Sequence, residues 1–297
     1  GGGQSPDYDN PHLQASLISF IEAMGQHYDG DSRLGIVQLG LLGFWGEWHT
    51  WPHNNWFPNS SFQSELIIAY TTAFKQTLLQ IRYPVAGSSE LPIGFHDDSF
   101  AHSTLGDADW YFHPRLVAAK AEERWRETPI GGELRPELQW WIFEDGYSTG
   151  TDRQDFFECV SETHASMLLN FAAFSGGLNS TAELKRAEAA ALSLGYALHV
   201  SSASVNASLL QVTLENRGVA PFYHSLMLQV QDSNGMIATV ELPRLTRDHG
   251  SQVFVLNIST FLNPSPEAPW TLSLHSDNVL QSQQILFATA PGEGSIR

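Results

Sequence analysis

Residues 34–50 read LGIVQLGLLGFWGEWHT. The stretch over 34–43 is short and mostly apolar, which predicts a strand of the kind buried on both faces. It runs into a loop that Gly and Pro keep from continuing as helix or strand. That loop gathers Trp45, Trp48, Trp51, His49 and His53 around one carboxylate, Glu47. A strand that delivers an acid to its C-terminal end fits a parallel sheet, because such sheets carry their chemistry there.

The pattern extends outward from this strand. Helices are predicted over 11–28, 64–76, 113–127, 152–166 and 180–195, where apolar residues recur at helical spacing. Strands are predicted over 77–84, 91–100, 128–134 and 167–174. Pro114 suits the first turn of its helix. Ser180 and Glu183 have capping-box spacing, and Gly195 is a natural helix stop. Polar residues fall at the strand ends: Glu47, then His96-Asp97-Asp98, then Glu133, then Asn170. Strands alternating with helices predict a parallel sheet covered by helices, with about five strands in view.

After Gly195 the apolar period becomes two. Seven short segments, from ALHVSSASV to QILFATA, alternate in strand fashion, and Asn234-Gly235 is a hairpin signal. This predicts an antiparallel β-sandwich of immunoglobulin-like type. The expected organisation is an α/β domain over 1–195 followed by a sandwich over 196–297.

Charge narrows the partners. The 297-residue chain carries 15 Lys+Arg against 32 Asp+Glu, a net charge of −17. Nucleic acid and anionic membrane surfaces both demand basic patches, so neither is expected. A neutral or cationic ligand is easier to accommodate. No apolar run is long enough to cross a bilayer. The polar start, GGGQSPDYDN, is unlike a signal peptide and is expected to be a processed or truncated end. Cys159 is the single cysteine, so no internal disulfide is expected. Asn-x-Ser/Thr sites at Asn59, Asn179, Asn206 and Asn257 favour a secreted, extracellular glycoprotein, with coincidence as the alternative. No phosphate loop, nucleotide fingerprint or serine nucleophile elbow is present, and no cofactor is expected.

The blocks YDGDSRLGIVQLGLLGFWGEWHT, GFHDDSF, TPIGGEL, ETHASMLLNF and VTLENRGVAPFY resemble, in that order, a family of secreted glycosidase-like proteins catalogued as domain of unknown function 4832. The resemblance spans roughly residues 5 to 290. It implies a TIM-type (β/α)8 barrel followed by a β-sandwich, akin to glycoside hydrolases. It also implies that three barrel strands precede the equivalent of residue 11, so this chain would be the C-terminal portion of a barrel. The missing strands would come from an N-terminal segment or from another chain. On that numbering Glu47 follows strand four and Glu133 strand seven, where many barrel glycosidases keep their two acids. The G-x-x-G-x-x-G-E pattern over 40–47 is similar to the acid-bearing loop of β-amylase-type barrels.

Glycosidic cleavage needs two carboxyl groups flanking one bond, one protonated and one ionised. Glu47 is the first candidate, since aromatic neighbours would disfavour its charged form and suit a general acid. Glu133, after paired glycines, is the second; a helix cap or a pair with Arg135 is the structural alternative. Trp45, Trp48 and Trp141 suit the apolar faces of sugars, or else fill core. Eight of the nine Trp lie between 45 and 141, which ties the aromatic signal to the first domain. His49, Arg82, His96, Asp97, Asp98, His164 and Asn170 are further ligand-contact candidates. Asp97 and Asp98 point to opposite faces if the strand continues, so at most one of them faces a cleft. His49 and His53 have metal-ligand spacing, but Pro52 interrupts the helix that spacing needs, and no metal is assigned.

These residues predict an extracellular glycoside hydrolase acting on a poly- or oligosaccharide. The alternative is a carbohydrate-binding or scaffold protein on the same fold without catalysis. A metal-dependent hydrolase using His49, His53, His96 and Asp97 is a third, weaker reading.

Overall fold

In the computed structural model, residues 4–85, 88, 90–176, 178–261, 269–280, 282–288 and 295–296 are described. The chain divides into two compact units, Gly1–Ser193 and Leu194–Arg297.

The first unit holds a five-stranded parallel sheet in sequential order: β1 (Ile36–Gln38), β2 (Leu78–Ile81), β3 (Ile93–Phe100), β4 (Ile130–Leu134) and β5 (Ala165–Leu169). Among the described residues β1 and β5 have no strand on their outer sides, so the sheet is open at both edges. Helix α1 (Pro11–Tyr28) precedes the strands, and α2 (Ser60–Ala73), α3 (Phe112–Ala118), α4 (Phe156–Thr163), α5 (Phe171–Phe174) and α6 (Thr181–Leu192) fall between and after them. Asn10 starts α1 by accepting the amides of His12 and Leu13, with Pro11 in the first turn. Leu79 and Ile81 of β2, Ile93 and Phe95 of β3 and Ile130 of β4 share one buried cluster with Ile21 of α1 and Phe62, Leu66, Ile67 and Tyr70 of α2. That cluster defines the helix-covered face of the sheet. Gly25 allows α1 to meet α2 closely, because a Cβ there would stand 2.4 Å from the Ala73 carbonyl oxygen.

Element types follow the sequence reading, and boundaries shift for local reasons. The strand expected over 34–43 pairs only at 36–38, after which the chain turns through positive φ at Leu41 and Gly43. The helix expected over 113–127 breaks at Lys120, whose φ is 54°, and resumes as a 3-10 segment over Glu122–Arg126. The strand expected over 167–174 stops at Leu169, because Asn170 caps α5 instead. Ser180 and Glu183 do form a capping box on α6.

The second unit has a three-stranded antiparallel sheet, β10-β7-β6, and a four-stranded one, β12-β11-β8-β9. Their strands are β6 (Leu198–Asn206), β7 (Leu209–Asn216), β8 (Leu226–Gln231), β9 (Ile237–Leu242), β10 (Gln252–Asn257), β11 (Trp270–His275) and β12 (Ser295–Ile296). Alternate residues of β7 (Leu210, Val212, Leu214) and β8 (Leu226, Leu228, Val230) enter one common core, which accounts for the period of two. Asn234 and Gly235 lie in the turn joining β8 to β9. The strand expected over 284–290 contributes only a bridge from Ile285 to Leu274, and its last two residues lie outside the described ones.

Candidate functional site

Register decides which side chains share the uncovered face. Ile81 pairs with Phe95, and both belong to the helix-side core, so their neighbours Arg82 and His96 take the other face. His96 pairs with Gly131 and Asp97 with Gly132, which brings Asp98 alongside Glu133. The free face at the C-terminal ends of the strands therefore holds Arg82, His96, Asp98 and Glu133. Glu47 arrives from the loop after β1.

That loop is tightly built. Trp45 and Trp48 have φ of 54° and 59°, values few non-glycine residues adopt. Trp48 is 1% exposed, its indole N–H donates to the Leu39 carbonyl at 2.6 Å, and its own carbonyl accepts from the Tyr83 hydroxyl at 2.7 Å. The Tyr8 hydroxyl accepts the Gly43 amide at 2.9 Å. Trp48 is thus the loop's core anchor, which corrects its assignment as a sugar-stacking ring. Trp45 and Trp51, by contrast, are 84% and 72% exposed.

Glu47 Oε2 lies 2.6 Å from Arg82 Nη1 and 3.3 Å from His49 Nε2. The same Arg82 nitrogen bridges to Asp98 Oδ2. Asp98 Oδ1 in turn stands 2.6 Å from His96 Nδ1. Burial pushes the Asp98 carboxyl up, but the His96 bond and the Arg82 charge outweigh it and hold the group below the ordinary range. Glu133 is pushed up, first by burial and then by the charges of Asp98 and Glu47, against smaller opposing effects of Arg82 and His96. The raised acid is Glu133, while Glu47 is ion-paired. Glu47 is not sealed by that pair, since its side chain keeps 26% of its surface.

Other candidates lie elsewhere. Asp97 points to the helix side, where its carboxylate accepts the Thr104 hydroxyl at 2.7 Å and the Ser99 amide at 2.9 Å. It is buried and cannot touch a ligand on the opposite face. His164 ends α4 with φ 55° and stacks on Trp125 at 3.7 Å, at the N-terminal end of β5 and so away from the acids. Asn170 does reach the C-terminal ends, but its side-chain oxygen caps α5 through the Ala173 amide. Trp141 is exposed in the turns after β4. His53 stacks on Trp56 at 4.0 Å. Among the described residues, no group of three or more His, Cys, Asp or Glu is placed to hold a metal. Asn59, Asn179, Asn206 and Asn257 are all exposed.

Sequence reasoning missed two features of the free face. Gln80, wholly buried, donates to the Pro129 carbonyl at 3.0 Å, and Met167 and Leu169 lie exposed in register with Gly131 and Glu133. Alternation along β2 and β5 was the available signal. The paired glycines of β4 have a steric origin: a Cβ on Gly132 would stand 2.0 Å from the Asp97 carbonyl oxygen. No helix among the described residues is long and apolar enough to cross a membrane.

Compared with known proteins, the chain matches no family model, no curated protein and no solved structure.

Proposed function

We propose that this chain carries the acid-bearing part of an extracellular glycoside hydrolase active site on a TIM-type barrel. The single observation that supports this is the convergence of Glu133 and Glu47 on one rim, with Glu133 raised and Glu47 ion-paired to Arg82. A two-carboxylate mechanism asks for that asymmetry. Glu133 donates its proton to the leaving oxygen. Glu47, paired with Arg82, serves the opposite side of the bond as nucleophile or as base for water. Arg82 and Asp98 hold Glu47 in place, and Trp45 and Trp141 offer flat apolar surface to sugar rings. The resemblance to the glycosidase-like family agrees with this reading. So do the open sheet edges, which three further strands of the polypeptide or of another chain would close. The second unit is then an immunoglobulin-like sandwich, and the four exposed Asn-x-Ser/Thr sites carry glycans in a secreted protein.

The test is hydrolysis of a broad glycan panel by the unmodified chain, Glu133→Gln and Glu47→Gln. Each variant is expected to lose at least about 100-fold in turnover while still binding sugar. Turnover that survives both substitutions sinks the assignment. The pairing of Arg82 with both Glu47 and Asp98 favours one other reading, a glycan-binding protein without catalysis. Sugar binding with no turnover across the panel selects it.

A further inference from the structure

Two of the four Asn-x-Ser/Thr sites meet in the second unit. In its three-stranded sheet, Leu209 of β7 pairs with Asn206 of β6 on one side and with Asn257 of β10 on the other. Directly paired residues point to the same face, so the three form one row. Leu210 is wholly buried, so that row faces outward. Two strand spacings, about 10 Å, separate the asparagines. The backbone ties the sites together as well, because the Ile258 amide donates to the Ser208 carbonyl at 2.8 Å. Ser208 is the last residue of the first site and Ile258 the middle residue of the second. The Ser259 amide donates to Asn257 Oδ1 at 3.0 Å, which holds that side chain by its oxygen rather than by Nδ2.

The face these sites border is apolar and uncharged. Val255 and Val253 follow Asn257 with the same facing and are 46% and 60% exposed, and Leu209 is 41% exposed. The other members of the two valine rows, Gln211, Ser204, Thr213 and Ser202, carry no charge either. Among the described residues β10 pairs with β7 alone in the sheet, so it is an edge strand. Its sequence, QVFVLN, has no charge and no proline, two of the devices that keep edge strands from pairing with other chains. A different guard is required.

We propose that Asn206 and Asn257 carry a pair of N-linked glycans that lie over this face and cover its valine stripe. Each Asn Nδ2 bonds to the anomeric carbon of a polyprenyl-pyrophosphate oligosaccharide. The bond from that carbon to the pyrophosphate breaks with its electron pair, and Nδ2 gives up one proton. Val255 and Val253 stand about 7 and 14 Å from Asn257 along the strand, within the span of a few sugar residues. The C–H faces of the sugar rings take the valine side chains out of water, and bulk at the end of β10 blocks an incoming strand. This inference rests on the reading of the chain as a secreted glycoprotein. It adds which two sites act together and what their glycans cover.

The experiment expresses the full chain with a secretion leader in a eukaryotic cell and reads occupancy by glycopeptide mass spectrometry. Both Asn206 and Asn257 are expected to be occupied. Ser208→Ala with Ser259→Ala removes both acceptor sites and keeps every backbone bond named above. That variant should bind an apolar dye about twofold or more strongly and sediment as larger species. Adding Val253→Thr and Val255→Thr should cancel most of the gain, since threonine keeps the strand preference without the apolar surface. Thr181→Ala, which removes the Asn179 site, should change neither readout. If the double serine variant is not secreted, trimming the folded glycoprotein with an endoglycosidase gives the same comparison. Occupancy at any of the four sites but not at both Asn206 and Asn257 overturns the inference and leaves the glycoprotein reading standing. Occupancy at none overturns both. Full occupancy, with dye binding and sedimentation unchanged on glycan removal, overturns the covering role.

Discussion

Asp97 and Asp98 are neighbours in β3, yet their carboxylates serve opposite faces of the sheet. Asp98 engages Arg82 and His96 on the free face, whereas Asp97 takes the Thr104 hydroxyl and the Ser99 amide behind it. Asp97 thereby pins the loop after β3, since Thr104 also accepts the Ala101 amide at 2.9 Å.

Asp97 should make stability depend on pH. Burial, the largest influence, pushes its carboxyl from 3.8 up to about 6. A folded-state value above the unfolded one means that the folded chain holds the proton more readily. The stability tied to that proton is full below the unfolded value and is lost as pH rises through about 6. The loss amounts to roughly 3 kcal/mol. Urea midpoints measured from acid to neutral pH should fall across this window in the unmodified chain relative to Asp97→Asn. Parallel profiles for the two proteins would show that Asp97 does not titrate there.

Arg82 is the counter-charge for two partly buried carboxylates, so its removal should cost more than a surface pair. Arg82→Met is expected to destabilise by on the order of 2–3 kcal/mol, below the full cost of a buried pair because Glu47 keeps some solvent. Adding Asp98→Asn should restore part of that loss. A double-mutant cycle by chemical denaturation reads the coupling, and strictly additive changes would refute the shared-ion arrangement.

Element types were legible in the sequence because they depend on local periodicity. The five apolar strand segments, the α6 capping box and the alternation in the second unit all register within a few residues. The opposite facing of Asp97 and Asp98 was equally accessible, since it needs only the strand period. Site roles were not, because they depend on contacts distant along the chain. The partner of Glu47 is 35 residues away at Arg82, and nothing in GFWGEWHT announces it. The aromatic neighbours of Glu47 are adjacent in the sequence, whereas the guanidinium that pairs with it at 2.6 Å is not. Trp48 looked like its neighbour Trp45, and only the turn at positive φ sends one inward and the other outward.

That division between the two indoles is itself measurable. Trp48→Ala empties a fully buried position and strands the Leu39 carbonyl, so it should cost about 3–5 kcal/mol. Trp45→Ala removes a ring that is 84% exposed and should leave stability within about 0.5 kcal/mol. If the exposed ring stacks on sugar, the same change should weaken glycan binding by about threefold to tenfold. Thermal melts and glycan titrations on both variants separate the roles. A large stability loss in Trp45→Ala would contradict its placement.

Glu133 gives the last prediction, on the pH dependence of turnover. In the proposed role of general acid it works only while protonated, so kcat/KM should fall as pH rises through its value in the free protein. Burial and the charges of Asp98 and Glu47 place that value above the ordinary 4.5 of a glutamate. Asp98→Asn removes one of the two raising charges, and with it a contact that Arg82 now shares between Asp98 and Glu47. Both consequences act in one direction. Glu133 loses a repulsive neighbour, and Arg82 can exert more of its charge on what remains. The alkaline limb of the profile should therefore move to lower pH in Asp98→Asn and disappear in Glu133→Gln, whose residual rate has no such limb. An alkaline limb that stays in place in both variants would assign the proton to another group.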